Sequence, residues 1–215
     1  MNLFEYVADR WSRLSLQAWL HVSEVVQATI VAAVIGVVIG VAVYRSPFGS
    51  AVATALASTI LTIPSFALIG LLIPLVGLGV APSVIPLVLY ALLPIVRNTI
   101  VGLNGVDPAV TDAARGIGMS RFAVLSRVEL RLAWPAILTG MRVATQMLMG
   151  IAVIAAYAKG PGLGSEVFSG LTRAGSANSI EQALTGTLGV VILALILDAI
   201  YVLIARFTSP RGARV

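Results

Sequence analysis

Long apolar runs constrain this chain more than any other feature of its sequence. A helix of about 20 apolar residues crosses the hydrocarbon core of a bilayer, and five runs of roughly this length occur here. Of the 215 residues, 59% are hydrophobic and only 11% are charged, whereas soluble domains carry about 25% charged residues. So few charges cannot cover a water-soluble globule of this size, and the sequence predicts an integral membrane protein.

The runs predict an all-α, polytopic fold with a transmembrane domain over residues 22–207. A polar, arginine-rich loop (104–134) and a Gly- and Ser-rich segment (159–182) interrupt this domain. An N-terminal segment (1–21) precedes it, and a short tail (208–215) follows it. The five predicted spans are residues 22–43, 51–76, 84–103, 136–158 and 183–207.

Two of the spans carry features that predict local structure. Gly36 and Gly40 in the first span are four residues apart, a spacing of small residues that lets another helix approach closely. Pro64 lies near the middle of the second span and Pro74 near its end. Residues 51–63 alone are too short to cross a bilayer, so one kinked or locally broken helix is expected.

The N-terminal segment has a helical pattern of its own. Its apolar residues fall on one stripe, which is typical of a short helix in the membrane interface, although a frayed terminus fits equally well. Acidic residues precede any apolar run, so no cleaved signal peptide is expected. The stripe is Phe4, Val7, Trp11 and Leu14, and the acidic residues are Glu5 and Asp9.

Composition argues against several kinds of function. The chain has no cysteine and a single histidine, His21, which is expected at the membrane interface; neither a thiol nucleophile nor a His-based metal site is predicted. No basic patch with interleaved aromatic residues indicates nucleic-acid binding. No Gly-rich Lys-Ser/Thr loop is present to bind the phosphates of ATP, and no nucleophile–base pair points to an enzyme.

The distribution of basic residues predicts the orientation in the membrane. With loop 104–134 in the cytoplasm, 10 of the 14 basic residues lie inside or near the inner face, as membrane proteins favour. Five spans then place the N-terminus outside and the C-terminus inside. The inner set is Arg45, Arg97, Arg115, Arg121, Arg127, Arg131, Arg142, Arg206, Arg211 and Arg214; the outer set is Arg10, Arg13, Lys159 and Arg173.

The most informative segment lies in the cytoplasmic loop. Asp107 can cap a helix that starts at Pro108. Proline has no backbone N–H, but in the first turn of a helix this group makes no hydrogen bond within the helix, so its loss does no harm. Gly116 or Gly118 can end this helix in a left-handed turn. A helix of about two turns is too short to be stable alone, so it needs a partner surface.

Ser120 can cap a second helix, with Phe122, Leu125 and Val128 spaced to pack, and Pro135 is expected to start the fourth span.

This segment resembles the EAA loop of ABC importer permeases, whose pattern is Glu-Ala-Ala, three residues and then Gly. Here it reads Asp112-Ala113-Ala114, three residues and then Gly118. The family favours Ile-x-Leu-Pro further on, whereas this chain has Val128-Glu129-Leu130 followed by Arg131. In such permeases the loop forms a coupling helix that sits in a groove of a cytoplasmic ATPase. The resemblance implies that role for Asp112, Ala113, Ala114 and Gly118.

Three further runs resemble the osmoprotectant group of these permeases, which import glycine betaine, carnitine and choline. They are Thr62–Leu68 with Leu72-Ile73-Pro74, then Leu89–Thr99, and Gly160-Pro161-Gly162-Leu163-Gly164. The resemblance implies the type I, MetI-like importer permease fold in a bacterial or archaeal inner membrane. It also implies a second permease copy or homologous permease, two ATPase subunits that bind ATP and magnesium, and an external binding protein near residues 160–179. No cofactor is expected in this chain itself.

Three charges stand out inside the predicted spans, where ionisable groups are costly and usually paired or functional. Arg97, Arg142 and Asp198 lie on the third, fourth and fifth spans. At about 1.5 Å per residue, their depths from the inner face overlap. Asp198 is therefore expected to pair with either Arg97 or Arg142 as a latch near the cytoplasmic gate; the alternative is that both arginines extend to lipid headgroups.

The proline break in the second span is the expected translocation pathway. Irregular backbone at membrane depth is tolerated only inside protein or beside a water-filled cavity. Thr62, Pro64, Ser65 and Phe66 surround that break. Aromatic residues are few among the spans, so a tight aromatic cage for a quaternary ammonium group is not expected.

Two other transport functions fit the sequence less well than osmoprotectant import. A permease of the same architecture for methionine or another amino acid fits the loop, but not the run from Thr62 to Pro74. An ion-driven secondary transporter needs intramembrane acids, of which only Asp198 is well placed, and the spans show no inverted repeat.

Overall fold

The fold is built entirely from helices over residues 2–209, the part of the chain that the computed structural model describes. Arg211 and Arg214, and most of the predicted tail, lie outside these residues. The helices are α1 (Leu3–Asp9), α2 (Trp11–Val43), α3 (Pro47–Thr62), α4 (Ser65–Val76), α5 (Val80–Asn104), α6 (Pro108–Gly116), α7 (Arg121–Val124), α8 (Leu130–Ala155), α9 (Gly164–Thr172) and α10 (Ser179–Thr208).

Four stretches within residues 2–209 are long and apolar enough to cross a membrane: α2, α5, the helix from Arg121 to Ala158 and α10. The bent pair α3–α4 gives a fifth if it is counted as one span. The helices extend beyond the predicted runs because hydropathy marks only their bilayer-crossing part. At 1.5 Å per residue, the 33-residue α2 is about 50 Å long, well over the roughly 30 Å of the hydrocarbon core.

With the bent pair α3–α4 counted as one span, successive spans run in alternating directions and define two ends of the bundle. The α6 end holds the C-terminus of α2, the coupling-loop residues and Thr208, whose hydroxyl accepts a hydrogen bond from Trp134 Nε1 at 2.7 Å. The α9 end holds α1, α4 and α9, where Gly79 N donates to the Ala158 carbonyl at 2.9 Å. Residues 2 and 209 therefore lie at opposite ends.

The break in the second apolar run is sharper than a kink. The helix axis turns by 89° between α3 and α4, and Ile63 and Pro64 both adopt extended ψ values, 127° and 131°. Pro64 causes this because a proline disfavours helical backbone at the residue before it. The local break predicted from Pro64 is confirmed.

The core forms where α5 packs between α2 and α8. Leu87, Tyr90, Ala91 and Ile95 of α5 are buried there. A β-carbon built on Gly36 would lie 2.7 Å from Ile95 Cγ2, and one on Gly40 would lie 2.6 Å from Thr99 Cγ2. The close approach predicted for these two glycines is confirmed, and α5 is the helix that makes it.

The N-terminus differs from its predicted form. Arg10 has φ −116° and ψ 18°, which ends α1 and lets α2 begin at Trp11. The predicted stripe is thus divided between two helices, and the predicted boundary after residue 21 is not a break, because α2 continues through it. His21 is fully buried between helices, and its Nε2 is 3.1 Å from the Met149 carbonyl oxygen.

A buried carboxylate fastens the N-terminus to the α9 end. Glu166 of α9 is fully buried and accepts hydrogen bonds from Tyr6 Oη and Gln182 Nε2, each at 3.0 Å. Arg13 Nη2 lies 2.8 Å from its other oxygen. Burial and the Glu166 hydrogen bond raise the pKa of Tyr6, so this hydroxyl stays protonated as a donor at neutral pH. The start of the chain is thereby held against α9 and α10.

Gly40→Ala is expected to destabilise the protein, because the added methyl group meets Thr99 and core overpacking costs about 1–3 kcal/mol. The matched control is Gly150→Ala in α8, where no atom lies within 4 Å of the new β-carbon. That change should be neutral or stabilising by about 0.5–1 kcal/mol. Thermal unfolding of the purified variants checks this; equal melting temperatures would contradict the packing described.

Candidate functional site

The helix predicted to start at Pro108 is present as α6. Asp107 Oδ1 accepts a hydrogen bond from Ala109 N at 2.8 Å, and Pro108 occupies the first helical position. The caps predicted at Asp107 and at Ser120, whose hydroxyl accepts from Ala123 N at 3.3 Å, are both confirmed. α6 is thus a two-turn helix with a defined start, outside the apolar bundle.

Gly118 ends α6 in a left-handed turn. Its φ of +87° favours glycine. Gly118 N donates to the Arg115 carbonyl at 2.9 Å and Met119 N to the Ala114 carbonyl at 3.1 Å, the pair of bonds that defines a Schellman motif. Of the two glycines considered from the sequence, Gly118 makes the turn, whereas Gly116 is the last helical residue.

The predicted site residues of α6 face in different directions. Asp112 is exposed and forms an ion pair with Arg115 at 3.2 Å, and Ala113 is exposed as well. Ala114 is 7% exposed and faces its own chain. Only Asp112 and Ala113 of the triplet are therefore open to a partner, while Ala114 lets α6 pack closely on its neighbours.

Three exposed apolar side chains accompany this site and were not singled out as partner contacts from the sequence. Val110, Ile117 and Phe122 are 43%, 81% and 76% exposed. Phe122 was expected to pack against apolar neighbours, but it is exposed in this chain, because Val124 takes the buried position of α7. The available signal was the presence of large apolar residues in a hydrophilic loop. Together with Ala113, they form what is called here the coupling surface.

The helix leading into the fourth apolar run begins earlier than predicted. Arg121–Val124 passes into a π-helical turn, Leu125–Glu129, and then directly into α8. Pro135 therefore lies inside α8 and does not start it, because the cap at Ser120 has already begun the helix. Arg131, which replaces the family's proline, continues the same helix.

Glu129 forms a polar cluster that the sequence reasoning missed. It is 5% exposed and accepts a hydrogen bond from Tyr44 Oη at 2.8 Å. Arg45 Nη2 contacts both of its carboxylate oxygens, at 3.3 and 3.2 Å. Tyr44 and Arg45 form the corner between α2 and α3. The only sequence signal was a lone glutamate between Arg127 and Arg131 of the arginine-rich loop.

Asp198 pairs with Arg142, not with Arg97. Arg142 Nε and Nη2 each donate to a different Asp198 oxygen at 2.6 Å, which is the two-bond geometry that arginine forms best with a carboxylate. Two further contacts join the same helices: Gln146 Nε2 donates to the Ala194 carbonyl at 3.0 Å, and the hydroxyls of Thr145 and Tyr201 lie 2.9 Å apart. Polar contacts thus tie α8 to α10.

Arg97 lies elsewhere, in an open groove of about 500 Å³ between α3 and α5. Its side chain is exposed, and no acidic partner for it occurs among residues 2–209. Hydroxyl side chains from one face of α3 line the groove opposite it: Ser50, Thr54 and Ser58.

The residues predicted for the pathway surround the α3–α4 break. Thr62 ends α3, Pro64 precedes α4, and Ser65 is its first residue. Tyr90 of α5, buried to 2% exposure, donates its hydroxyl to the Ile63 carbonyl at 2.8 Å. That bond satisfies a backbone group which the break frees. The ring centroids of Phe66 and Tyr157 lie 4.4 Å apart.

Comparison with known proteins identifies the class. The family model for the binding-protein-dependent transport system inner membrane component matches residues 32–210. This chain belongs to that family, and its predicted resemblance to the osmoprotectant group is confirmed by two curated relatives. The osmoprotectant import permease protein OsmW of Salmonella typhimurium is 40% identical over 74% of each chain. The glycine betaine/carnitine/choline transport system permease protein OpuCB of Bacillus subtilis is 37% identical over 70% of this chain and 68% of its own.

Solved structures confirm the predicted fold. A chain of the MetNI methionine ABC transporter in an inward-facing conformation matches with a TM-score of 0.77 and 21% identity, over 92% of this chain and 96% of the other. A chain of an amino acid ABC transporter matches with a TM-score of 0.67 and 18% identity, over 96% and 98%. This protein is an all-α, multi-pass membrane permease of the ABC importer type.

Asp198→Asn and Arg142→Gln should each lower the melting temperature, because each leaves one charge of the pair without its partner. The melting temperature of the double variant should fall by less than the sum of the two single decreases, since neither charge then remains. A double-mutant cycle on thermal unfolding of the purified protein measures this coupling. Additive effects would show that the contact does not stabilise the bundle.

Proposed function

We propose that this chain is the membrane-spanning subunit of an ATP-driven importer of compatible solutes of the glycine betaine, carnitine and choline class. The identity of 33–40% to osmoprotectant permeases supports this substrate class. Likeness to the methionine transporter extends to the fold alone, at 21% identity. Methionine import is therefore the second candidate, and an ion-driven transporter is disfavoured by the family.

The α6 end is proposed to face the cytoplasm, with the N-terminus outside and the C-terminus inside. Loop 104–134 carries Arg115, Arg121, Arg127 and Arg131, and an excess of arginine is typical of cytoplasmic loops. The α9 end would then meet the external binding protein through residues 160–179.

The single observation that carries the proposal is the geometry of α6. It is a capped two-turn helix that ends in a Schellman turn and presents the coupling surface of Val110, Ala113, Ile117 and Phe122 to the outside. Apolar groups that are exposed in water are stabilised by burial against a partner. The proposed partner is a groove on an ATPase subunit. That subunit would bind ATP and magnesium and supply the energy for transport.

A role is also proposed for the intramembrane residues. The Arg142–Asp198 pair would act as a latch between α8 and α10 near the cytoplasmic gate. Thr62, Pro64, Ser65 and Phe66 would line part of the pathway, because the 89° break opens irregular backbone at this depth. A second copy or a homologous permease would complete the passage.

Uptake of labelled glycine betaine into vesicles tests the proposal, with the permease reconstituted beside the ATPase and binding protein of its own organism. Uptake should require ATP. Gly118→Ala should weaken ATPase binding roughly tenfold, because a residue with a β-carbon costs about 1–2 kcal/mol in this conformation. Gly116→Ala, in helical backbone with open space around it, is the matched control and should behave as wild type.

Each of the other outcomes would contradict a different part of the proposal. Uptake that needs an ion gradient and no ATP would overturn the importer function. ATP-dependent uptake of methionine in place of glycine betaine would keep the mechanism and change the substrate. Equal activity of Gly118→Ala and Gly116→Ala would show that the turn at Gly118 does not matter for coupling.

A further inference from the structure

Glu129 stands where residues 105–129, called here the coupling segment, enter the bundle. Burying a carboxylate is costly unless it is paired and hydrogen-bonded. Here both oxygens are engaged, one by Arg45 and the other by Arg45 and Tyr44. Tyr44 is itself 8% exposed, and the Arg45 guanidinium lies 5.0 Å from its ring centroid. The three side chains form a compact unit.

The backbone at this point is also unusual. Leu125–Glu129 is a π-helical turn, in which Leu130 N donates to the Leu125 carbonyl five residues earlier. Such turns are rare and occur frequently at functional sites. Glu129 is the last residue of this turn, so its side chain is fixed where the regular helix of α8 begins.

Few elements connect the coupling surface to the bundle. α6 packs mainly against α7 and the π-helical turn. Among the side-chain hydrogen bonds of residues 105–129, those of Glu129 join this segment to the α2–α3 corner. The corner leads into α3, which turns by 89° at Pro64 into α4. A displacement of α6 therefore reaches α3 through these contacts as well as along α8.

We infer that Glu129, with Tyr44 and Arg45, is the joint that transmits movement of α6 to α3 during the transport cycle. The inference rests on the coupling role proposed for α6 and adds a positioning residue outside the Asp112–Gly118 motif. Glu129 contacts neither substrate nor ATPase in this role. It fixes the position of the coupling segment relative to the α2–α3 corner.

Glu129→Gln tests the joint with little change of shape. The amide oxygen still accepts the Tyr44 hydrogen bond, but the ion pair with Arg45 is lost. In the reconstituted importer, the amount of solute taken up per ATP hydrolysed should fall about fivefold or more, while the ATPase still co-purifies with the permease. Glu181→Gln, at the α9 end of α10, is the matched control and should keep the wild-type ratio.

A charge exchange tests whether the ion pair itself is needed, and the ratio of uptake to ATP hydrolysis separates the joint from simple stabilisation. Glu129→Arg alone should abolish uptake, and adding Arg45→Glu should restore a measurable part of it, because the ion pair is rebuilt in reverse. A merely structural role would lower uptake and ATP hydrolysis together and leave their ratio unchanged. That result, or a wild-type ratio in Glu129→Gln, would overturn the inference. A wild-type complex that takes up no glycine betaine would instead count against the proposed function.

Discussion

Close packing of α5 between α2 and α8 is the interaction on which the rest of the structure depends. Lipid tails are as apolar as the helices, so helices in a bilayer associate through tight packing and polar contacts. Gly36 and Gly40 let α5 approach α2, and Gly140 of α8 lies so close to α5 that a β-carbon there would be 2.7 Å from the Pro94 carbonyl oxygen. Because α5 is fixed on both sides, it can anchor the α3–α4 break through Tyr90.

Polar contacts then fasten this packed centre at its two ends. Glu166 holds the N-terminus to α9 and α10, and Glu129 holds the coupling segment to the α2–α3 corner. Both are buried carboxylates that bind one arginine and one tyrosine. The bundle is thus closely packed in the middle, while a buried polar cluster lies at each end. This arrangement suits a permease that is proposed to respond to partners on both sides of the membrane.

Local sequence signals predicted much of this structure, and contacts between distant residues account for the rest. The caps at Asp107 and Ser120, the turn at Gly118 and the break at Pro64 follow from backbone chemistry within a few residues. Arg45 and Glu129 are 84 residues apart, so no local pattern could pair them. Depth alone could not choose between Arg97 and Arg142 for Asp198, because the choice depends on α10 packing against α8. The burial of His21 could not be predicted for the same reason: its partner, Met149, lies on another helix.

The most direct test is site-directed cross-linking from the coupling surface, for which the chain is well suited because it contains no cysteine. Ala113→Cys, with Arg173→Cys at the α9 end as a control, would be treated with impermeant thiol reagents and cross-linkers in the assembled importer. If α6 couples the permease to its ATPase, Cys at 113 reacts only from the cytoplasmic side and cross-links to the ATPase, whereas Cys at 173 reacts only from outside. Reaction of Cys at 113 from outside, in a complex active in uptake, would contradict the proposed orientation and coupling role.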